Sequence, residues 1–489
     1  MERVVGSDRV VVIGAGLSGL AAAHRLVSPA ARLSARRPLD LMVLEARDRT
    51  GGAIWTNRRD GFTLEGGADS FITNKPAALD LCRELGLAGH LIETDASRRR
   101  SFVIRDGRLL PVPEGFVMMA PSKLWPVLAS PLLSLRGKMR FLMERFVPRR
   151  DESTEESLAA FVRRRFGREV LERLVQPLVG GIYTADPNEL SIDATLSQFP
   201  EMERQHGSLI KAAIRNARLT RQKNDRTDSG ARYGLFLSLD EGMDLLPKTL
   251  EASLPAGSLR TNTPVRRLLK SEHTNDWRVE LLDGTTIQAS AVILAAEAHA
   301  SARLIDPCDQ ELARLLRTIP YASSLVVNVA YKRNAIKHPL NGFGVVVPAI
   351  EERPILAVSF TSVKFPGRAP ADSVLLRVFL GGALQPEMFE LDDETISSVV
   401  EQELGELLGA RGAPLFMDIS RHSRSMPQYI LGHRARVASI RDQVKLHPGL
   451  FLTGNAFDGV GIPDCIRGAQ EKADAVSAFL SANPGMAAA

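Results

Sequence analysis

Cysteine is scarce: Cys82, Cys308 and Cys465 are three in 489 residues, far apart, odd in number and without metal-ligand spacing. They exclude a disulfide framework and a zinc site, no metal is expected, and a reducing compartment fits. Aromatics are only 6%, with five Tyr and three Trp, and no compact Lys/Arg run is interleaved with them. Nucleic acid is therefore not an expected partner. Long apolar runs are missing too. The most apolar stretch, Phe116 to Leu135, is interrupted by Pro121, Lys123, Pro126 and Pro131, whereas a bilayer-spanning helix needs about 20 apolar residues. Such a segment can lie on a membrane but not cross it. The chain enters an apolar strand after a few polar residues, which leaves no room for a signal peptide and points to the cytoplasm. There is no internal repeat, and no Ser-His-Asp, Cys-His or paired-carboxylate constellation, so no side chain is assigned as a catalytic acid or base.

What is present is an ordinary globular composition, 44% hydrophobic and 24% charged, in a chain long enough for two or three domains. The net charge is +5, and Lys accounts for only twelve of the 62 basic residues. An Arg-rich basic chain suits carboxylate or phosphate ligands and anionic lipid. A homodimer is compatible with this composition.

The opening reads β-α-β: an apolar run Val10–Ile13, a glycine turn, a helical stretch Leu17–Val27 and a second run Leu41–Leu44. Gly14, Ala15, Gly16, Leu17, Ser18 and Gly19 form the turn and helix start. One glycine makes the turn, the next admits a pyrophosphate to the backbone, and the last lets helix and strand pack closely. Backbone N–H groups and the positive helix end then face the phosphates. Glu45 ends the second run, where a carboxylate accepts from ribose hydroxyls and disfavours a 2′-phosphate. Between them, Ser28–Asp40 reads as a surface-loop insertion.

Further on, a helix is expected from Leu79 to about Gly89, and a mostly helical insert over roughly 90–232. Its core, Ser153–Ile214, opens with Ser153-Thr154-Glu155-Glu156, read as a capping box, and it ends in the polar run Arg221–Arg232. Beyond it, the runs Val279–Leu282, Ala291–Ala295, Ser324–Tyr331, Val345–Val347 and Val374–Leu380 read as an antiparallel sheet region, with a helix Glu394–Leu408 packed on it. The strand Leu450–Thr453, a Gly-rich turn and a helix Asp464–Leu480 close the chain.

The continuation Glu45-Ala46-Arg47-Asp48-Arg49-Thr50-Gly51-Gly52 resembles the FAD superfamily of amine oxidases, phytoene desaturases, protoporphyrinogen oxidases and Rab escort proteins. Several stretches closely resemble the porphyrinogen oxidases: Gly180-Gly181-Ile182-Tyr183 with Asp186–Ser191, Glu203–Ile210, Leu239–Pro247, Gly342-Phe343-Gly344 with Val347-Pro348, and Met426–Tyr429 with Leu431-Gly432-His433. They run in family order from residue 9 to about 475.

The resemblance implies an α/β fold: a Rossmann-like FAD-binding domain of the GDI/amine-oxidase type, a mixed-sheet substrate domain and an inserted α-helical domain. Residues 1–89, 233–300 and 432–489 would form the first, 301–431 the second, and 90–232 the third, which touches membrane in relatives. The implied cofactor is FAD. Its implied contacts are the Gly14–Gly19 turn, Glu45, Ala46, Arg49 near the pyrophosphate, Gly51, Gly52, Ala53, Gly66, Gly67 and Ala68. Val265 would approach the adenine, and Gly454, Asn455, Gly461, Ile462 and Pro463 would form a second cluster before the last helix. Amides at that helix start would stabilise negative charge on a reduced flavin by about 0.3 to 1 kcal/mol, or up to about 2 when partly buried.

The implied activity is oxygen-dependent, six-electron oxidation of a porphyrinogen to a porphyrin in haem synthesis. The implied substrate contacts are Asp69, Arg100, Ser101, Phe343, Gly344, Val346, Ser359 and Phe379. The chain departs from the pattern twice. Ser101 stands before Phe102, where many protoporphyrinogen oxidases carry an Arg that can pair with a propionate, and Arg98, Arg99 and Arg100 precede it. Asp69 stands where plant-like relatives carry Asn. Asp69 and the run Pro113–Val117 resemble bacterial enzymes acting on coproporphyrinogen III; protoporphyrinogen IX is the alternative substrate. The rival readings are a flavin amine oxidase or carotenoid desaturase, and a non-enzymatic escort protein of the Rab-GDI type. Residues 111–147, apolar with interspersed Arg and Lys, suit peripheral contact with anionic lipid.

Overall fold

The run of valines at the start is buried on both sides, as a strand with helices on each face of its sheet must be. In the computed structural model, which describes residues 7–29, 37–151, 154–223, 236–271 and 276–483, the Asp8–Ile13 strand is central in a five-stranded parallel sheet. The order is Leu259–Arg260, Leu39–Leu44, Asp8–Ile13, Ala291–Leu294, Leu450–Leu452. Alternation sends Val10 and Val12 into one core, with the helices Leu17–Leu26 and Ile462–Ala482. Val11 and Ile13 enter another, with the Trp277–Leu281 and Thr286–Ala289 strands. Three distant stretches of chain therefore build one sheet.

The second large element is a seven-stranded mixed sheet. Its order is Phe416–Pro427, Tyr321–Lys332, Ser373–Gly381, Ala357–Ser359, Gly344–Val346, Ser101–Arg105, Arg108–Pro111. One face carries Leu325, Val327, Val329, Leu376, Val378, Val345 and Phe102, covered by Ile396, Val400 and Leu404 of the Asp393–Leu408 helix. The residues between them in sequence point to the other face, where Ala330, Leu375 and Phe416 pack on Phe62 and Leu64 and where Val103 joins the core of the helical stretch.

Four expectations are corrected. The mainly helical stretch begins near Trp125, not at 90: Leu91–Glu93 pairs with Phe236–Leu239, and Ser101–Pro111 supplies two strands of the seven-stranded sheet. These short runs have too few residues to reveal a partner more than 140 positions away. The helix expected to open at Ser153, which lies outside the described residues, starts at Leu158; Ser157 caps it, accepting from the Ala160 N–H at 3.1 Å. Glu156, three residues after Ser153, instead accepts from Arg164 Nε and Nη2 at 2.8 and 2.7 Å. The Ala291–Ala295 run joins the parallel sheet, its all-apolar character reflecting burial on both faces. Phe416–Pro427 was not read as a strand because its sequence is polar, yet it pairs along most of Tyr321–Lys332. The Ser28–Asp40 insertion and the Arg221–Arg232 run fall largely outside the described residues.

Candidate active site

Gly14 leaves the first strand with φ +101°, and a Cβ there would lie 3.0 Å from the Ala295 carbonyl oxygen, so close strand packing demands glycine. Gly16 is different. A Cβ on it would meet nothing nearer than the Gly52 Cα at 3.8 Å, so the protein's own packing does not require its absence. Close approach of a ligand would require it. Gly51 donates to the Ala15 oxygen at 2.9 Å, which draws the Gly51-Gly52-Ala53 turn against the Gly14–Gly19 turn. Glu45 accepts from the Ala15 and Arg47 N–H groups at 2.7 and 2.9 Å. Its main chain pairs with Arg260 and Thr263, two residues before Val265.

The helices starting at Leu17 and Ile462 share a core, and Ser18 hydrogen-bonds the Cys465 thiol, whose pKa burial pushes up to about 12. Neither N-cap residue, Gly16 or Gly461, provides a side-chain cap. The first-turn amides are left for an anionic or strongly polar ligand, and with the Gly16 cradle they fit a flavin dinucleotide. Arg49 lies over the Trp55 ring at 4.6 Å, its pKa lowered by burial and by Arg47. A cleft of about 790 Å³ runs past Arg49, Trp55, Pro247 and Ser420. Ala46, Ala53 and Ala68 are exposed on the rim of these turns.

Glu65 to Ser70 passes between the Ala53–Trp55 turn and the seven-stranded sheet. A Cβ on Gly67 would fall 1.7 Å from the Ala53 oxygen, so the strand past it has no room for a side chain. The seven-stranded sheet grips this segment. The Asn328 amide donates to the Glu65 oxygen at 3.1 Å, Arg377 donates to the Gly67 oxygen, and His422 Nε2 lies 2.8 Å from the Gly66 oxygen. A carbonyl only accepts, so Nε2 carries the proton, and burial together with Arg377 and Arg49 lowers the pKa of His422.

Strand register assembles the expected substrate residues on this inner face. Ser101 pairs with Gly344, Gly344 with Ser359, and Ser359 with Arg377. One row along, Val346 pairs with Ala357 and Ala357 with Phe379. Five of the eight candidates thus form two adjacent rows. Asp69 reaches the same face through Arg377 Nη1 at 3.3 Å. Phe343 is buried just before its strand, outside those rows, and donates its N–H to the Arg100 oxygen at 2.7 Å. Arg100 lies elsewhere. Its Cγ and the Phe102 ring both crowd the position of a Gly342 Cβ, at 3.2 and 2.7 Å, which sets Arg100 on the side of the Asp393–Leu408 helix.

Sequence reasoning missed Lys364, Arg377, His422 and Tyr429. A lone Arg two residues before Phe379 in the apolar run Ser373–Gly381 was the available signal for Arg377. Tyr429 donates its hydroxyl to the Asn455 oxygen at 2.6 Å and accepts from the Gly459 N–H at 2.9 Å, holding the turn that contains Gly454 and Asn455. Asn455 also donates to the Ser425 oxygen at 3.2 Å. No helix among the described residues is long and apolar enough to cross a membrane.

The family model of flavin-containing amine oxidoreductases matches residues 17–477. The chain is 35% identical to a coproporphyrinogen III oxidase of Propionibacterium freudenreichii subsp. freudenreichii over 97% of its own length and 92% of the relative's. It is 34% identical to the coproporphyrinogen III oxidase of Bacillus subtilis (strain 168), over 97% and 99% respectively. A crystal structure from Exiguobacterium sp. 255-15, provisionally assigned as a protoporphyrinogen oxidase, superimposes with a TM-score of 0.83 at 29% identity, covering 96% of this chain and 99% of that one.

Proposed function

The chain belongs to the flavin-containing amine oxidoreductase family and is an FAD-dependent oxidoreductase; from that premise we propose that it oxidises coproporphyrinogen III to coproporphyrin III in haem synthesis. Support comes from two coproporphyrinogen III oxidases at 34 and 35% identity over nearly the whole chain. The observation that carries the reading is the inner sheet face, where Ser101, Val346, Ser359 and Phe379 line up opposite the Gly66-Gly67 segment. A tetrapyrrole needs such a broad wall, with apolar side chains for its rings and polar ones for its carboxylates. FAD, when bound, supplies the hydride acceptor, and the protein supplies position and electrostatics.

Gly16, Glu45, Arg49, the Gly51-Gly52 turn and the Gly461–Pro463 helix start would hold the dinucleotide, with Val265 beside the adenine. The balance is one porphyrinogen and three O2 to one porphyrin and three H2O2, each two-electron step releasing one hydride and one proton from the substrate. The porphyrinogen, rather than an amine, is favoured because Trp55 is already engaged, with Arg49 over its ring at 4.6 Å and the His422 ring tilted beside it at 5.0 Å. It is not free to join an aromatic cage for an amine.

The same reading includes a cytoplasmic location with peripheral membrane contact. Leu135, Met139, Leu142, Met143 and Phe146 fall on one helical stripe and are exposed, Leu135 and Phe146 by 77 and 70%, with Trp125 nearby in sequence and Arg136, Lys138 and Arg145 interspersed. Vesicles of anionic phospholipid should retain the protein and release Met139→Glu; retention of neither, with dimers on sizing, would make the stripe a contact between copies.

The deciding assay presents coproporphyrinogen III and protoporphyrinogen IX in parallel to the aerobic holoenzyme, following porphyrin fluorescence and peroxide. A kcat/KM at least about tenfold higher for coproporphyrinogen III is expected, a difference of about 1.4 kcal/mol. Preference for protoporphyrinogen IX would reassign the substrate. Porphyrin from neither, with FAD bound, would overturn porphyrinogen oxidation.

A further inference from the structure

Five charged side chains close around the segment that runs along the seven-stranded sheet. Glu65 and Asp69 belong to the segment; Lys364, Arg368 and Arg377 come from the seven-stranded sheet and its connections. None of the five side chains is more than 16% exposed. Arg368 lies 3.4 Å from Glu65, and Lys364 and Arg377 lie 3.1 and 3.3 Å from Asp69. Three cations therefore face two carboxylates, an excess of one positive charge where an unpaired charge is costly.

Asp69 is not free to meet a substrate. Its Oδ1 accepts from Ser70 at 2.7 Å, and Lys364 Nζ reaches both oxygens at 3.1 Å. Burial opposes its charged form, but Lys364 and Arg377 outweigh burial and hold the carboxyl well below the usual range. Lys364 is itself fixed, its ammonium over the rings of Phe365 and Phe236 at 5.0 and 5.5 Å. Arg377 then donates to the Gly67 oxygen, so the group is joined directly to the backbone of the cofactor segment. Around the group, His422 donates to the Gly66 oxygen with its pKa lowered by burial, Asp240 is half-exposed and presents its main-chain oxygen to Arg368, and Arg49 over Trp55 adds a further cation that the variants below leave in place.

We propose that the Asp69–Lys364 pair sets the electrostatic potential at the flavin, and so how readily hydride is accepted, rather than contacting the porphyrinogen. The inference rests on the proposed function, which puts Gly66 to Ala68 beside the flavin. The sign follows from charge. A reduced flavin carries more negative charge than an oxidised one, so a nearby cation favours reduction and a nearby carboxylate opposes it. Asp69→Asn leaves two excess positive charges, Lys364→Met leaves none, and the double variant restores the original one.

The test is a spectroelectrochemical titration of the FAD-loaded protein at pH 7. At a fixed solution potential the ratio of reduced to oxidised flavin should rise about tenfold in Asp69→Asn and fall about tenfold in Lys364→Met. Each corresponds to about 30 mV for a two-electron couple. Asp69→Asn/Lys364→Met should return to within about twofold of the wild type. General loosening of the site would instead move both single variants the same way. That result, or less than about a twofold change in either single variant with FAD still bound, would overturn the inference. If Asp69→Asn does not fold, the double variant and Lys364→Met decide it, since only the charge argument has the second substitution undone by the first. A wild-type protein that holds FAD but turns over no porphyrinogen would sink the proposed function and still permit this titration.

Discussion

The two sheets present their functional groups in different ways. At the ends of the parallel strands the candidate groups are backbone amides and missing side chains, Gly14, Gly16, Gly51 and Gly52, with the Glu45 carboxylate among them. On the inner face of the seven-stranded sheet they are side chains from separate strands, Ser101, Ser359, Arg377, Phe379 and His422, brought together by register. A backbone-built site tolerates almost no change of residue at its glycines but is local in sequence. A register-built site is dispersed, and its individual positions can vary while the wall persists.

The sharpest way to break that contrast lies within the glycine turn. A Cβ on Gly19 would sit 1.9 Å from the Gly14 carbonyl oxygen, so Gly19→Ala should cost about 3 kcal/mol of folding stability, measured by urea unfolding of the apoprotein. Gly16→Ala should leave apoprotein stability within about 0.5 kcal/mol, because the added methyl meets only the Gly52 Cα at 3.8 Å, yet weaken FAD binding about 100-fold in a flavin-fluorescence titration. If both variants lose stability alike, the distinction between packing and ligand glycines is wrong.

The junction between the regions gives a smaller, pH-dependent effect. Tyr429, whose hydroxyl holds the Asn455–Gly459 turn, also accepts the Ser191 N–H on its main-chain oxygen at 2.8 Å and stacks on His433 with ring centroids 3.8 Å apart. Burial lowers the His433 pKa to about 4. Below pH about 6.5 the unfolded chain binds a proton that the folded chain refuses, so stability falls as pH drops from about 6.5 towards about 4. Between pH 7 and pH 5 the wild type should lose about 2 kcal/mol more than His433→Phe in chemical denaturation. Equal losses would show that this imidazole is solvated.

The smallest expected effect belongs to the dispersed face. Phe379→Ala removes one half-buried ring from a wall of several strands. It should raise the KM for coproporphyrinogen III about tenfold, near 1.4 kcal/mol, with FAD content unchanged. A loss of FAD in this variant would mean that the two sites are not separable.

Reading residues in order recovered the β-α-β opening and its ligand class, because Val10–Ile13, the glycine turn and Glu45 are near neighbours whose chemistry is stereotyped. It also recovered the long apolar strands Tyr321–Lys332 and Ser373–Gly381 and the helix on their outer face. It failed where partners lie far along the chain. Ser101–Pro111 looked like the start of a helical insert because nothing local announces a parallel partner at Gly344–Val346. Phe416–Pro427 went unread because a strand whose side chains meet the polar Gly66-Gly67 backbone has no apolar alternation to display.

Arg100 and Asp69 mark the same boundary from the side of the site. Both were legible as charges in the right stretch of chain, but a strand's two faces differ by one residue, and a carboxylate's role depends on what reaches it across space. Local order therefore carried the cofactor turn, whose parts are neighbours in sequence. Packing of the two sheets carried the rest: it turned Arg100 away, paired Asp69 with Lys364 and Arg377 some 300 residues on, and left one excess buried positive charge between them. Register and burial are collective properties of distant strands, and no local stretch of chain contains them.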